Sequence, residues 1–422
     1  MHRRGVSRRG VLKGGAACAA LAASRLLAGP VLAGPARPAG AATRRPAARP
    51  RVAVVGAGVF GGFTALSLVR RGARVTLVDA WGPGNSRASS GGETRVIRAI
   101  YGPHRIYVEM VVQALRLWRE NEARFGQTLY RKTGVLWMTG RDDSFERASL
   151  PLLRDAGLAF EELGPADAAA RYPQVSFEGV ARVILEKDAG YLLARRSCQL
   201  VMEGVQKEGG AYRRASAGPG SIGKDGMGPL HLSDGTRLAA DQYVFACGPW
   251  LGRMFPEAVG GRVLPTRQEV FFFGTPAGDP RFQEESLPVW VDHGDRIVYG
   301  IPGNEGRGFK IADDTHGPAF DPDTDDRIPS ADGLASARAH LARRFPGLAG
   351  APLLEARVCQ YENSPDSRFI LDRLPGTGNA WIVGGGSGHG FKHGPAIGER
   401  VADLVLGAAA PDPFFSLARP AT

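Results

Sequence analysis

The sequence predicts an α/β protein: a Rossmann-type dinucleotide-binding domain assembled from discontinuous segments, joined to an α+β domain built on an antiparallel sheet. Three observations lead there. From Arg51 a β-branched run passes through three spaced glycines into a helical stretch, then into a second strand that ends in an acid. A later apolar strand beginning at Gln242 closes on another glycine turn at Gly248. Between residues 263 and 301, short apolar runs alternate with turn residues, which is the pattern of antiparallel pairing.

The first element is Arg51–Val55, whose valines suit a buried parallel strand. Gly56-Ala-Gly58-Val59-Phe60-Gly61 follows at once and opens a helix to about Arg71, where Gly72 ends it. Arg74–Val78 is the next strand and ends in Asp79. A bare GxGxxG is a weak signal. Flanked by strand and helix, with an acid 18 residues past Gly61, it is a dinucleotide fingerprint. The glycines serve the tight turn, the approach of a pyrophosphate to the helix N-terminus, and helix–strand packing, while Asp79 is expected to take a ribose hydroxyl.

Beyond Asp79 the chain stays rich in glycine and serine through Gly82–Ser86 and Ala88–Gly92, which suits backbone wrapped along an extended FAD. Ser86, Ser90 and Thr94 are candidate contacts there. Gln242–Trp250 resembles the second dinucleotide-contacting strand of FAD enzymes, with Gly248 at its turn. A helix from Pro103 to about Phe125 carries Tyr107, Met110, Ala114, Leu117 and Trp118 on one apolar face, the mark of a core-facing helix. Thr133–Met138 begins a different sheet, to which 263–274, 287–291 and 296–301 add strands. Gly378–Gly384 returns to the parallel sheet, and 395–406 forms a last helix with Ile397, Val401, Leu404 and Val405 inward. Residues 218–228 are expected to form a surface loop. Residues 51–130, 188–255 and 366–410 are expected to form an FAD-binding domain, 131–187 and 256–365 a substrate domain, and 411–422 a C-terminal tail.

Composition narrows the class further. With 422 residues, 58 glycines and 43% apolar residues, the chain suits an α/β enzyme rather than a disordered or fibrous protein. The net charge of +11 is not a nucleic-acid signal. Residues 1–50 hold ten basic residues and no acid, and removing them leaves 43 basic against 42 acidic residues. That segment is expected to be an export signal: Ser7-Arg8-Arg9-Gly10-Val11-Leu12-Lys13 resembles the twin-arginine consensus, and the small-residue run from Gly14 to Ala23 is too short and polar to span a membrane. A Pro/Ala/Arg spacer follows. The expected location is periplasmic or secreted, with the twin-arginine translocon as a transient partner. The four cysteines (Cys18, Cys198, Cys247 and Cys359) make neither a disulfide framework nor a CxxC metal site, and no metal is expected.

Two C-terminal motifs carry the chemistry. They are Cys359-Gln-Tyr361-Glu-Asn-Ser-Pro-Asp366 and Ser387-Gly388-His-Gly390-Phe391-Lys392. With the fingerprint, they resemble monomeric sarcosine oxidase and N-methyltryptophan oxidase, FAD enzymes of the D-amino-acid-oxidase superfamily, from about Arg51 to Gly407. The resemblance implies FAD, bonded covalently through Cys359, with Gly388, Gly390, Phe391 and Lys392 beside it. It implies a substrate carboxylate held by Arg98 and Lys392, Arg95 beside the flavin, and Tyr299 and Tyr361 lining the substrate pocket. Lys310 would sit over the flavin, where a fixed cation stabilises negative charge developing on O2. Arg95 and Arg98, three apart, would be neighbours if their turn were helical. One departure matters: the family's usual imidazole four residues after the lysine is replaced here by Asp314. Lys310-Ile-Ala-Asp313-Asp314 is also similar to the lysine–acid pattern of fructosyl-amino-acid oxidases. The activity implied is oxidation of the C–N bond of an N-methyl or cyclic secondary amino acid, with O2 as acceptor and H2O2 as product. The alternatives are a fructosyl-amino-acid oxidase and an exported dehydrogenase using another acceptor. A monomer is favoured.

Overall fold

The computed structural model describes residues 49–420, so the expected export signal lies outside the described residues except for its last two positions. Two large sheets organise the chain. The first has six strands in the order Ile370–Arg373, Ala380–Gly384, Gln242–Phe245, Arg51–Val55, Arg74–Asp79 and Ala211–Arg214. All neighbours are parallel except the edge strand Ile370–Arg373. Parallel strands covered on both faces must be apolar throughout, and Val52–Val55 are all buried. Because the strands run the same way, Val55, Asp79, Phe245 and Gly384 all end at one edge. Ligand clefts of open α/β sheets form outside that edge.

The helix Val59–Arg70 leaves the central strand and packs on the last helix, Gly394–Val405. The expected inward residues Ile397, Val401, Leu404 and Val405 are buried. The helix Arg105–Phe125 places Tyr107, Met110, Ala114, Leu117 and Trp118 in the same core, as its periodicity predicts.

The second sheet has eight strands in the order Leu353–Asn363, Leu264–Phe273, Phe309–Asp313, Ile297–Ile301, Val289–His293, Val135–Thr139, Arg182–Glu186 and Phe160–Leu163. It is not wholly antiparallel: Val289–His293 runs parallel to Val135–Thr139. A third sheet of three strands pairs Gly190–Leu193 with Thr94–Ile97 and Tyr130–Arg131. Residues 218–228 include a small hairpin, Ile222–Gly223 with Gly226–Met227. No described helix is long and apolar enough to cross a membrane.

The long pairing of Leu353–Asn363 with Leu264–Phe273 sets Gln268 opposite Cys359 and Thr266 opposite Tyr361. Alternation then puts Cys359 and Tyr361 on one face and Gln360 and Glu362 on the other. Next in the sheet, Phe309–Asp313 continues to Asp314, so Lys310 and Asp314 share a face. Tyr299 lies opposite Ala312 on the neighbouring strand.

Candidate active site

The nucleotide cleft opens at the carboxyl edge of the parallel sheet and holds a cavity of about 200 Å³. Gly56, Gly58, Val59, Phe60, Asp79, Ser90 and Gly248 line it. Gly56 has φ +105°, a conformation strained for any residue with a Cβ, and a Cβ there would meet Ala246 O at 2.2 Å. Gly61 does its work behind the cleft, where the helix crosses Gly56 O too closely for a side chain. Asp79 braces the loop: Oδ2 accepts from Ala57 N at 2.7 Å, and Oδ1 accepts from Trp81 N and Gly82 N. A carboxylate oxygen has two lone pairs, so the residue retains capacity towards a ribose.

Ser90 Oγ accepts from Val59 N at 3.1 Å, tying the serine-rich loop to the helix start. Ser86, by contrast, is exposed, and the loop presents Asn85, Ala88, Ser89 and Ser90 to the cleft instead. The turn at Asn85 explains this: its side chain accepts from Arg87 N and Ala88 N, which swings the following residues outward before Ser89 returns.

A second cavity of about 60 Å³ is lined by Arg95, Arg98, Tyr299, Asp314, Gly388, Phe391 and Lys392, with Trp137, Val291 and Ile297 as apolar wall. The two cations expected to grip a carboxylate therefore face one space. They arrive there differently from the helical turn considered above: Thr94–Ile97 is a strand, and Arg98 follows its end. Val96 and Ile97 are β-branched and pair with Tyr191 and Gly190. Arg98 is held between the rings of Tyr101 and Trp137, at 4.8 and 5.1 Å from their centroids, and donates to Ile100 O.

Lys392 is buried. Its Nζ donates to Tyr101 Oη at 2.9 Å and to His389 O at 2.8 Å. Burial, with Arg98 nearby, holds its pKa well below the usual lysine value. Tyr101 Oη also meets His393 Nε2 at 2.8 Å and His389 Nδ1 at 3.1 Å. His389 Nε2 faces Ser367 O at 2.8 Å, and a carbonyl can only accept, so that nitrogen carries the proton and Nδ1 is the acceptor. Burial and then Lys392 push the pKa of His389 down to about 3, keeping it neutral.

Asp314 accepts from Tyr361 Oη at 2.7 Å. Burial raises its pKa, while that hydrogen bond and the Arg98 and Lys392 charges oppose the rise. On the same face lies the second cationic group. Lys310, 2% exposed, donates from Nζ to Thr94 O at 3.1 Å, and burial followed by Arg95 pushes its pKa down to about 7. Arg95 donates to Ser89 O and Thr94 O and approaches Cys359 Sγ at 3.6 Å. Cys359 is half-buried, whereas Cys198 is buried on the helix Ala194–Lys207.

The two C-terminal motifs touch directly. Gly388 has φ +76°, and a Cβ there would lie 2.6 Å from the Tyr361 ring. Gly390 packs against Phe60 rather than lining the cavity, since a Cβ would meet that ring at 2.7 Å.

Tyr101, His389, Glu186 and Glu362 were not among the residues expected from sequence. Glu186 is buried, accepts from Ala99 N and Trp137 Nε1 at 2.7 Å each, and anchors the segment after Arg98. His389 and Glu362 lie inside the quoted motifs, but nothing in the spacing distinguishes them. No cluster of three or more metal-ligating side chains is found among the described residues.

The profile of a family described as FAD dependent oxidoreductase matches residues 51–404. The chain belongs to this family. Among its relatives, monomeric sarcosine oxidase of Streptomyces avermitilis is 31% identical over 84% of this chain and 93% of its own length. N-methyl-L-tryptophan oxidase of Salmonella heidelberg is 29% identical over 86% of this chain and 96% of its own. In fold, the oxidoreductase is similar to L-proline dehydrogenase from P. horikoshii, with TM-score 0.76, 18% identity, and coverage of 87% of this chain and 97% of that one. It is also similar to fructosamine oxidase from Aspergillus fumigatus (Amadoriase II), with TM-score 0.73, 20% identity, and coverage of 88% and 90%.

The cleft of this FAD-dependent oxidoreductase fits its cofactor. Gly58, which precedes the helix, has no side chain to cap it; Val59 N is taken by Ser90 Oγ, and the amides after it in the first turn suit a phosphate. Ser89 Oγ and Glu362 Oε2, both from residues lining this cleft, are buried polar atoms with no hydrogen-bond partner among the described residues. Buried polar groups are ordinarily paired, so these two orphans suit a polar ligand in the cleft.

Proposed function

We propose that the enzyme oxidises the C–N bond of an N-methyl or cyclic secondary amino acid, with O2 as acceptor and H2O2 as product. The observation that carries this reading is the second cavity, where Arg98 and Lys392 share one space with the half-buried carboxyl of Asp314. Two cations suit a substrate carboxylate, and Arg adds a bidentate grip. Asp314, steadied by Tyr361, suits the amine end. The apolar wall of Trp137, Val291 and Ile297 excludes water and accepts the side chain. Together these groups orient a zwitterion, and orientation is the protein's main contribution to a cofactor reaction. FAD, when bound, supplies the hydride acceptor and the route of electrons to O2. Lys310 places an amine that is cationic when protonated on the same sheet face as Cys359 for the O2 half of the cycle, and Cys359 is the residue for covalent attachment.

A second reading, a fructosyl-amino-acid oxidase, is favoured by the Lys310–Asp314 spacing, because a carboxylate accepts hydrogen bonds from sugar hydroxyls. Peroxide production from sarcosine, N-methyltryptophan, pipecolate and a fructosyl amino acid separates the two. Turnover of the fructosyl substrate alone selects the second. Flavin reduction without peroxide would assign the enzyme another acceptor.

Residues 1–50 support export by the twin-arginine route, which carries folded, cofactor-loaded protein. Replacing Arg8 and Arg9 with lysine is expected to retain the enzyme in the cytoplasm, and undiminished export would remove that part of the proposal.

A further inference from the structure

Glu362 is a carboxyl in an unusual place. It lies on the strand that carries Cys359 and Tyr361, but alternation turns it to the opposite face, where it lines the nucleotide cleft. It is 8% exposed. Two glycine turns close on it: a Cβ at Gly248 would stand 2.9 Å from Oε2, and one at Gly386 would stand 2.8 Å from Oε1. Oε1 accepts from Gly386 N at 3.3 Å, while Oε2 is buried without a partner among the described residues.

The company it keeps gives this atom a task. The titratable side chains lining the cleft are Asp79 from the second strand, Cys247 from the turn before Gly248, and Glu362 itself; no Lys, Arg or His is among the lining residues. The site must nevertheless take a dinucleotide whose pyrophosphate is anionic, using backbone amides at the helix N-terminus. An ionised Glu362 would add a like charge with no lining cation to offset it. A neutral carboxyl has a hydrogen to donate.

We infer that Glu362 holds the bound dinucleotide as a neutral acid, donating from Oε2 to a phosphate or hydroxyl oxygen of FAD, so that cofactor binding takes up a proton from solvent. No bond other than this hydrogen bond forms, and the proton stays on the carboxyl. Burial already pushes the Glu362 pKa up to about 7, with the Gly386 amide opposing it. The sign follows. A carboxyl that must be protonated in the complex favours binding fully below its free-state pKa, and that contribution is lost as pH rises through it.

The test is FAD binding to the full-length apoprotein, with Cys359→Ser in every arm so that exchange is reversible. Calorimetry in two buffers of different ionisation enthalpy reads the proton count directly. At pH 8 the Glu362 protein is expected to take up about one proton per FAD, and its Kd to weaken about tenfold per pH unit above roughly 7. Glu362→Gln keeps a donor and loses the ionisation, so its Kd should stay flat with pH and be the tighter of the two at high pH. Absence of proton uptake by the Glu362 protein, or an unchanged pH slope in Glu362→Gln, overturns the inference.

Discussion

Replacing Arg98 with alanine probes the carboxylate clamp most sharply. The guanidinium is half-buried between two aromatic rings, and its partner cation, Lys392, remains in the cavity after the change. At about 4 Å and an effective dielectric near 20, one charge contributes roughly 4 kcal/mol to an anion. Hydrogen bonds to charged groups measured by deletion are smaller, about 1.5–3 kcal/mol, because water fills the gap. Taking about 3 kcal/mol, the Kd for a non-oxidisable carboxylate such as acetate should rise on the order of 100-fold. Losing the two ring contacts should cost about 1 kcal/mol of stability, too little to unfold the protein. The assay is titration of the flavin absorbance of holoenzyme with acetate, alongside KM for the best amine. Arg98→Lys should recover part of the loss, since it restores charge but not the fork. A Kd within about threefold of the parent, with flavin content intact, would refute the clamp.

Other perturbations separate the remaining roles. Lys310→Met should slow reoxidation by O2 by about 30-fold or more while anaerobic reduction by substrate changes little; equal loss in both half-reactions would rule that role out. The same lysine sets a pH signature. Its folded pKa of about 7 lies below the unfolded value, so burying it is costly below pH 7 and the cost fades as pH rises towards 10.5. Urea unfolding of the apoproteins should therefore find Lys310→Met more stable than the parent at pH 6, with the gap closing by pH 10. A pH-independent gap would contradict this. Cys359→Ser should yield flavin that acid precipitation releases into the supernatant, whereas the parent pellet stays yellow. Asp314→Asn should raise KM for the amine while leaving acetate binding within a few-fold; an acetate effect as large as that of Arg98→Ala would move Asp314 into the anion site.

The nucleotide half was legible because its signals are local. Arg51–Asp79 combines strand, glycine turn, helix and acid within 29 residues, and the last helix shows its inward face by period alone. What was not legible depends on pairing across distance. The parallel pairing of Val289–His293 with Val135–Thr139 joins segments about 150 residues apart, and an apolar strand carries no label for its partner. The spacing of Arg95 and Arg98 would make them neighbours only on a helical turn, and the sequence left that condition open; pairing with Gly190–Leu193 makes the segment a strand, in keeping with Val96 and Ile97. Ser86 missed the cleft because the Asn85 turn directs it outward. Glu362 needed three dimensions: only the convergence of Gly248 and Gly386 shows that this acid is buried against the nucleotide path.

The proposed chemistry depends on a cavity that seats a carboxylate-bearing amine against FAD. Anaerobic mixing of holoenzyme with an oxidisable N-methyl amino acid, and separately with the same amine lacking its carboxylate, tests it in one optical experiment. Rapid loss of flavin absorbance is expected with the first and a loss at least 100-fold slower with the second. Equal rates with both, or no loss with any carboxylate-bearing amine, would contradict it.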